Sequence, residues 1–326
     1  MKRLVSGMQP SGQLHIGNYL GAIKNWLQLQ KTHQCVFGIY DMHALTEGIK
    51  PEVLRQNIVE TAIDYFAAGI DQKKSIVMVQ SQVSEHTDLT WIFNCITPKS
   101  WLERVPTFKD KSQQFAKNIN MGLLDYPVLM AADVLLYKAQ AVPVGEDQTA
   151  HIELMREIAR AFNNRYGETF PEPEMISGPG ARIMSLVDPM MKMSKSRGTN
   201  HYIALADSPE VIKKKLSSAV TDTGNNATEP KRPGVANLFQ LLNLFSKVET
   251  REKFDKAYHD KTIRYSEVKE TLATDIADYF AEFRKKRESL AKHPEKVIKT
   301  LQEGSERARK IAQKNLQEIK EKVGLV

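Results

Sequence analysis

The regular alternation of strand-like and helix-like segments in the first half of the chain constrains the fold most. Short runs at residues 4–8, 35–40, 75–81 and 141–144 predict strands, and the second and third have the continuous hydrophobicity of strands buried on both faces. Helical patterns are found at residues 17–30, 51–68, 87–95, 123–138 and 148–163. Strands that alternate with helices predict a doubly wound, parallel, Rossmann-like α/β sheet.

The rest of the chain has a different character. Residues 172–200 are rich in Pro, Gly, Met and Ser, which predicts a long loop or hinge. Beyond residue 202 the sequence is lysine-rich and mostly helical, and a last helix over residues 305–323 carries one apolar stripe. We therefore expect an α/β domain over residues 1–200 and a smaller, all-helical domain over residues 201–326, with the last helix packed back on the first domain.

Composition narrows the functional classes. Among 326 residues, 46 lysines and arginines against 39 acidic residues give a net charge of +7, which is compatible with a polyanionic partner. No stretch approaches the roughly 20 continuous apolar residues of a membrane helix, and the start lacks the apolar run of a signal peptide. Two cysteines without a CxxC pair predict a reducing compartment, which for this chain we take to be the cytoplasm.

The turn after the first strand concentrates unusual residues. It reads SGMQPSGQLHIGNYLGAIKNW over residues 6–26 and contains neither GxGxxG nor GxxxxGK[ST]. His15 and Asn18 lie three residues apart at the start of a predicted helix, where both can donate hydrogen bonds to phosphate oxygens. Gly17 leaves the backbone open to a flat ring. Alone, the turn fits equally well a histidine that only caps or packs.

A second motif, KMSKS at residues 192–196, lies within the predicted hinge. Lys192 and Lys195 are three residues apart on a loop, so they can close on the β- and γ-phosphates of a nucleotide. There they would stabilise the charge that develops on a leaving pyrophosphate. Taken alone, this motif is also typical of an exposed basic loop.

Together, the two motifs resemble those of the class I aminoacyl-tRNA synthetases. In that family they flank ATP and promote attack of an amino-acid carboxylate on the α-phosphate. The strings YPVLMAADVLLY, VPVGEDQTAHIEL and GARIMSLVDPMMKMSKS extend the resemblance over nearly the whole chain and are similar to the bacterial tryptophanyl members. Tyrosyl members share the fold, but they are typically longer and have a different second motif.

The resemblance implies a ligase that forms tryptophanyl-adenylate from tryptophan and Mg²⁺-ATP and then transfers tryptophan to the 3′ end of tRNA(Trp). It implies a homodimer whose interface includes an insertion in the α/β domain, and an anticodon-binding role for residues 201–326. It implies no metal site beyond the Mg²⁺ that accompanies ATP and no membrane partner.

One face of a predicted helix suggests how the side chain of the amino-acid substrate is bound. Asp133 lies in an otherwise apolar predicted helix, and Tyr126, Met130 and Asp133 share one face at i, i+4 and i+7. Such a face suits an indole, with Met130 over the ring and Asp133 as acceptor for Nε1–H. A carboxylate so placed rejects phenylalanine, because it would be left unpaired. Pairing of Asp133 with a nearby Lys or Arg, or a polar position at the helix edge, remains an alternative.

The resemblance implies roles for further residues. Tyr126 and Gln148 would hold the ammonium and carboxylate ends of tryptophan with Gln9 nearby, while His43 and Val144 line the pocket. The implied catalytic residues are Lys192, Lys195, His15, Asn18 and Lys111, the last near the phosphates. The implied ATP contacts are Gln9, Pro10, Ser11, Gly17, Asn18, Gly145, Glu146, Asp147, Ile183, which meets adenine, Lys192, Met193, Ser194, Lys195 and Ser196.

The chain departs from the tryptophanyl pattern in several places. His15 stands where many members carry Thr, although histidine matches the wider class I pattern. Met42 and Val5 stand where Gln and Phe are commoner, and either change can loosen the floor of the pocket. No acidic residue follows Ser196, which leaves the contacts beyond the second motif open.

Two other functions remain as alternatives from the sequence. A small-molecule adenylyltransferase can share the first motif, but the helical last third and the Asp133 face argue against it. A catalytically silent paralogue could bind RNA or tryptophan as a regulator, but the intact Lys192, Lys195 and Asp133 argue against that function.

Overall fold

The computed structural model describes residues 1–106, 119–178, 182–221 and 231–326. Five parallel strands form one sheet in the order β3-β2-β1-β4-β5. The strands are β1 (Arg3–Met8), β2 (Gln34–Ile39), β3 (Ile76–Val79), β4 (Ala141–Val144) and β5 (Glu174–Ser177). The predicted doubly wound, Rossmann-like α/β fold is thus confirmed.

The helices of the described residues follow the predicted alternation. They are α1 (Ile16–Asn18), α2 (Lys24–Leu29), α3 (Asp41–Ala44), α4 (Pro51–Ala68), α5 (Glu85–Asn94), α6 (Lys99–Glu103), α7 (Met121–Leu135), α8 (Thr149–Tyr166), α9 (Pro209–Ser217), α10 (Pro233–Phe245), α11 (Val248–His259), α12 (Tyr265–Tyr279), α13 (Ala281–Ala291) and α14 (Pro294–Val323). A π-helical turn, Tyr19–Ile23, joins α1 to α2, and short 3₁₀ turns cover Leu45–Glu47, Gln80–Gln82, Glu146–Gln148, Lys195–Arg197 and Thr199–His201. Among the helices so described, none is long and apolar enough to cross a membrane.

Two sequence predictions of local structure were wrong. The strand β5 lies inside residues 172–200, which were predicted as one continuous loop. Its residues are half-buried or exposed at the edge of the sheet, so they lack the apolar run by which a buried strand is recognised. The last helix begins at Pro294 rather than at residue 305. Its first turns are mostly exposed, so they lack the apolar stripe by which the rest of the helix was predicted.

The chain forms two compact units that are interleaved along the sequence. The first contains Met1–Ser11, Ala22–Gly180 and Ala291–Val326, and the second contains Gly12–Gly21 and Ala181–Leu290. Backbone hydrogen bonds explain why the turn 12–21 belongs to the second unit: Ile16 N donates to Ile203 O at 3.0 Å, and Leu205 N donates to Leu14 O at 2.8 Å. Both predicted phosphate-binding motifs therefore lie in the second unit.

Side chains cover both faces of the sheet in the first unit. On one face, Trp26 stacks on Phe37 with ring centroids 4.8 Å apart, and the Tyr65 ring meets Trp26 edge-on. On the other face, α5, α7, α8 and α14 contribute to one apolar cluster together with Val5 and Val36. Burial on both faces is what the continuous apolar strands require.

The last helix protects the open edge of the sheet at β3. Gly304 lies so close to the strand that a Cβ there would clash with the carbonyl oxygen of Val77. The next residue, Ser305, accepts a hydrogen bond from Val79 N through its hydroxyl at 3.1 Å. The helix α14 thereby satisfies an edge amide that would otherwise be buried without a partner.

Candidate functional site

The topology of the sheet places a crevice at the carboxyl ends of β1 and β4. Strand order reverses at β1, since β2 and β3 follow on one side and β4 and β5 on the other. Open α/β sheets bind ligands at such a point. The hydroxyl of Ser6 donates to Pro143 O at 3.0 Å and ties the two strands together there. The residues that follow these strands, Gln9–Ser11 and Gly145–Gln148, are among those predicted for the site.

The turn after β4 has a defined shape. Gln148 N donates to Gly145 O at 3.0 Å, and Gln148 Nε2 donates to Asp147 Oδ2 at 3.2 Å. The Asp147 carboxylate folds back over Gly145, where a Cβ would lie 2.5 Å from Asp147 Oδ1. A side chain at this position would displace the Asp147 carboxylate from the turn. The side chains of Glu146 and Ser196, both predicted as ATP contacts, lie outside the description, as does all of Lys111.

Asp133 is a deeply buried acid among the predicted site residues whose side chains the structure describes. It lies on α7 with 1% of its surface exposed, and His43 Nε2 lies 2.8 Å from its Oδ2. Burial alone raises the pKa of Asp133, but hydrogen bonds and electrostatic attraction from His43 and His86 outweigh burial and hold this pKa at about 2. The carboxylate is therefore ionised at neutral pH and acts only as an acceptor.

Among the residues that the structure describes, the partners of Asp133 are histidines and an amide rather than the Lys or Arg considered from the sequence. Gln80 Nε2 donates to Asp133 Oδ1 at 2.6 Å, and His86 Nδ1 lies 2.7 Å from the same oxygen. Gln80 follows β3 and His86 lies on α5, and both are fully buried. Neither residue was predicted from the sequence, although the position of Gln80 directly after a buried strand was a usable signal.

The other end of the α7 face carries Tyr126. Its hydroxyl is hydrogen-bonded to His151 Nε2 at 2.9 Å, and its ring lies edge-on to His43 with centroids 6.2 Å apart. His43 thus contacts both Tyr126 and Asp133, which brings the two ends of the predicted face together. Met130 lies between them in sequence and is half-buried against the apolar cluster. His151, in the first turn of α8, is a further site residue that sequence analysis missed.

In the second unit, His15 and Asn18 form a reciprocal cap at the start of α1. Gly17 N donates to His15 Nδ1 at 3.1 Å, and His15 N donates to Asn18 Oδ1 at 3.1 Å. Each bond occupies an acceptor atom, so the atoms left for a ligand are donors: His15 Nε2–H and the Asn18 amide. Gly17 admits this cap, because a Cβ there would lie 2.9 Å from the His15 ring.

The protonation state of His15 agrees with this geometry. Burial, followed by the positive charges of Lys195 and Lys192, lowers the pKa of His15 to about 3. The imidazole is therefore neutral at physiological pH. Its ring also packs against Tyr202, with centroids 5.6 Å apart. The neutral imidazole of His15 can donate a hydrogen bond to an anion that the two lysines attract. Because the ring is neutral, folding does not have to bury a further positive charge.

Backbone hydrogen bonds fix the loop that carries the second motif. Met193 N donates to Ile183 O at 2.9 Å, and both side chains are buried. Lys195 begins a 3₁₀ turn, and its ammonium group donates to Gly12 O at 3.1 Å. The loop thus contacts the turn that carries His15 within the same unit. Among the residues that the structure describes, no group of three acidic, histidine or cysteine side chains could hold a metal ion.

Comparisons with known proteins extend these observations. The family model described as tRNA synthetases class I (W and Y) matches residues 1–281. Tryptophan–tRNA ligases of Caldanaerobacter subterraneus subsp. tengcongensis and Wolinella succinogenes are each 44% identical, over 100% of this chain and 99% of theirs. The crystal structure of tryptophanyl-tRNA synthetase from Campylobacter jejuni complexed with ADP and tryptophan is 38% identical, covers 99% of both chains and has a TM-score of 0.86.

These matches agree with the parallel sheet of the first unit. The predicted enzyme class is confirmed, since the family model and the full-length relatives are all aminoacyl-tRNA synthetases. The chain belongs to the class I tRNA synthetases, in the family that comprises the tryptophan and tyrosine enzymes.

Proposed function

We propose that this chain is a tryptophan–tRNA ligase, which activates tryptophan with ATP and transfers it to the 3′ end of tRNA(Trp). Full-length relatives with this activity are 44% identical and confirm the prediction from sequence. The structural observation that carries the proposal is the buried carboxylate of Asp133, ionised beside Tyr126 and Met130 on one face of α7.

Tryptophan is favoured over phenylalanine because only tryptophan offers a hydrogen-bond donor to the buried carboxylate of Asp133. An indole Nε1–H donates to Asp133, whereas phenylalanine has no donor and leaves the charge without that partner. Sites built around such a hydrogen bond discriminate far more strongly than apolar slots, which separate ligands by about 10- to 200-fold. Met130 would cover the ring, and His43 and Val144 would line the pocket. Tyr126, Gln148 and Gln9 would hold the ammonium and carboxylate ends of the substrate.

For the nucleotide, we assign the phosphates to the second unit. The free donors of His15 and Asn18 would hold them, and Lys192 and Lys195 would stabilise the charge that develops on the leaving pyrophosphate. Mg²⁺ would arrive with ATP as part of the substrate. The remaining ATP contacts are proposed at Pro10, Ser11, Gly145, Asp147 and Ile183. No side chain needs to act as nucleophile, because the carboxylate of tryptophan attacks the α-phosphate; catalysis comes from positioning and phosphate stabilisation.

We assign tRNA anticodon binding to the helical part of residues 201–326, and translation in the cytoplasm as its setting. The net charge of +7 is compatible with this polyanionic partner.

A homodimer is proposed through a surface of the first unit that we call the Trp91 patch: Leu45, Trp91, Ile119 and Met121. Trp91 and Met121 are 71% and 73% exposed, and the other two are more than half exposed. The segments that carry them contact one another, since Asn94 Nδ2 donates to Asp125 Oδ2 at 3.0 Å and Thr46 packs near Gly122. Large apolar side chains gathered on one surface are typical of an interface between subunits.

Two assays in sequence test the function. Tryptophan-dependent ATP–pyrophosphate exchange reports activation, and acid-precipitable tryptophan on tRNA(Trp) reports transfer. The proposal predicts both. Absence of exchange would contradict the synthetase function and favour a silent paralogue, while exchange without charging would point to a small-molecule adenylating enzyme.

A further inference from the structure

The Asp133 carboxylate is surrounded by three polar side chains of the first unit, two of which are hydrogen-bonded to it. A carboxylate has about four acceptor positions, two on each oxygen. Gln80 and His86 both approach Oδ1, at 2.6 Å and 2.7 Å, while His43 approaches Oδ2 at 2.8 Å. Of the partners supplied by the described residues, only His43 approaches Oδ2, so an acceptor position on this oxygen is left for a substrate.

Gln80 holds its orientation because both ends of its amide are engaged. Met42 N donates to Gln80 Oε1 at 3.1 Å, so the amide cannot flip and Nε2 must face Asp133. The backbone on either side is also tied. Val79 N donates to Ser305 Oγ at 3.1 Å, and Ser81 N donates to Asp41 Oδ1 at 2.9 Å. Gln80 is therefore a rigid donor rather than one of several interchangeable contacts.

His86 is held from its other side. Its Nε2 is hydrogen-bonded to the hydroxyl of Tyr137 at 2.9 Å, and His86 has no exposed surface. Its Nδ1 faces Asp133 Oδ1 at 2.7 Å, and the bond between Nε2 and the Tyr137 hydroxyl holds the ring plane in this orientation.

We propose that Gln80 and His86 are positioning residues for amino-acid selection, which aim the free acceptor position of Asp133 Oδ2 at the N–H of the substrate. The inference rests on the proposed function, in which Asp133 reads the indole. Without these donors the carboxylate can rotate, and a substrate N–H meets it at a less favourable angle. The preference for an amino acid with an indole N–H over one without it then becomes weaker, although the apolar walls of the pocket are unchanged.

The experiment compares tryptophan with its benzothiophene analogue, in which sulfur replaces the indole N–H. The readout is the ratio of kcat/KM for the two amino acids in ATP–pyrophosphate exchange, together with KM for ATP. For Gln80→Met and His86→Leu we expect the ratio of kcat/KM for tryptophan to that for the analogue to fall roughly 10- to 100-fold. This factor corresponds to the loss of one hydrogen bond to a charged group. We expect KM for ATP to stay unchanged, which a general disturbance of the fold would not allow.

Conservative variants and a matched control complete the design. His86→Asn retains an N–H donor near the position of Nδ1 and should restore most of the ratio, whereas Gln80→Asn shortens the side chain by one methylene, withdraws its amide from Asp133 and should not. Gln82→Asn makes the same chemical change on an exposed residue of the same turn and should match the wild type. In an Asp133→Asn background, Gln80→Met should lower the ratio no further.

The outcomes separate this inference from the proposed function. No exchange with tryptophan by the wild type would contradict the function itself. Exchange with an equal rate for both amino acids would show that Asp133 does not read the N–H and would overturn this inference too. A selective wild type with unchanged ratios in Gln80→Met and His86→Leu would overturn the positioning role alone. If either variant fails to fold, Gln80→Asn and His86→Asn decide: equal ratios for these two would overturn the inference.

Discussion

The backbone amide of Gly17 donates a hydrogen bond to Nδ1 of His15, at 3.1 Å. This bond makes Nδ1 an acceptor, so the ring proton lies on Nε2 and the imidazole is a neutral donor. The first motif of this synthetase therefore offers phosphate a hydrogen bond without a full charge. The positive charge near it comes from Lys192 and Lys195, which lower the pKa of His15 in addition to the effect of burial.

The protonation of His15 gives a first prediction. With a pKa of about 3 in the folded protein, His15 should stay neutral from pH 8 down to pH 5, where an ordinary imidazole with a pKa of 6.5 would become charged. Nitrogen-15 NMR of the histidine rings measures this directly, and His15→Gln assigns the signal. A midpoint near pH 6.5 for this ring would contradict the proposed cap.

The same pKa predicts how stability changes with pH. The unfolded chain binds a proton at His15 below about pH 6.5, whereas the folded chain does not until about pH 3. The contribution of His15 to the free energy of unfolding is thus fully present above pH 6.5 and is lost progressively as the pH falls toward 3. In denaturant unfolding, His15→Gln should lose less stability than the wild type between pH 7 and pH 5.

Lys195 gives a prediction about rate. Lys195→Ala should lower kcat for ATP–pyrophosphate exchange about 100- to 1,000-fold and change KM for tryptophan little, because the lysine contact strengthens as charge develops on pyrophosphate. Arg197→Ala, an exposed cation in the same turn, is the matched control and should stay near the wild type. An equal loss of ground-state ATP affinity and of kcat/KM would count against the role of Lys195 in the transition state.

Gly304 gives a prediction about stability. A methyl group at this position meets the carbonyl oxygen of Val77, so Gly304→Ala should push α14 away from β3 and lower the free energy of unfolding by about 2 kcal/mol. Gln302→Ala changes an exposed residue of the same helical turn and should have little effect. Chemical denaturation measures both. A neutral Gly304→Ala would show that the helix lies farther from the strand than in this structure.

The Trp91 patch gives a prediction about assembly. Trp91→Glu should shift the protein toward monomer in sedimentation velocity, since it places a charge within the proposed interface. Val53→Glu alters an exposed apolar side chain on α4, outside the patch, and serves as the control. A wild type that sediments as a monomer at micromolar concentration, or a Trp91→Glu dimer as stable as the wild type, would contradict this interface.

Much of the architecture could be predicted because its determinants are local. Strands such as residues 35–40 carry their own apolar pattern, and the cap of His15 and Asn18 depends on residues three apart. Tyr126, Met130 and Asp133 share a helical face through simple periodicity. The strand β5 could not be predicted in this way, because edge position leaves its residues half-exposed.

The surroundings of Asp133 depend on contacts between distant segments. Gln80 and His86 come from the end of β3 and from α5, and neither has a pattern that relates it to α7. The membership of residues 12–21 in the second unit likewise depends on two backbone hydrogen bonds, in which Leu205 N donates to Leu14 O and Ile16 N donates to Ile203 O. The spacing of residues along the chain does not predict contacts between such distant segments, because these contacts form only when the sheet and the loops have folded.

The most direct test of the central claim is the tryptophan dependence of ATP–pyrophosphate exchange in the wild type and in Asp133→Asn. The variant keeps the shape of the side chain but removes the charge on which His43, Gln80 and His86 converge. We expect KM for tryptophan to rise by about tenfold or more in Asp133→Asn, while KM for ATP stays within about twofold. An unchanged KM for tryptophan in a folded Asp133→Asn variant would show that Asp133 is structural and would contradict its role in selecting the amino acid.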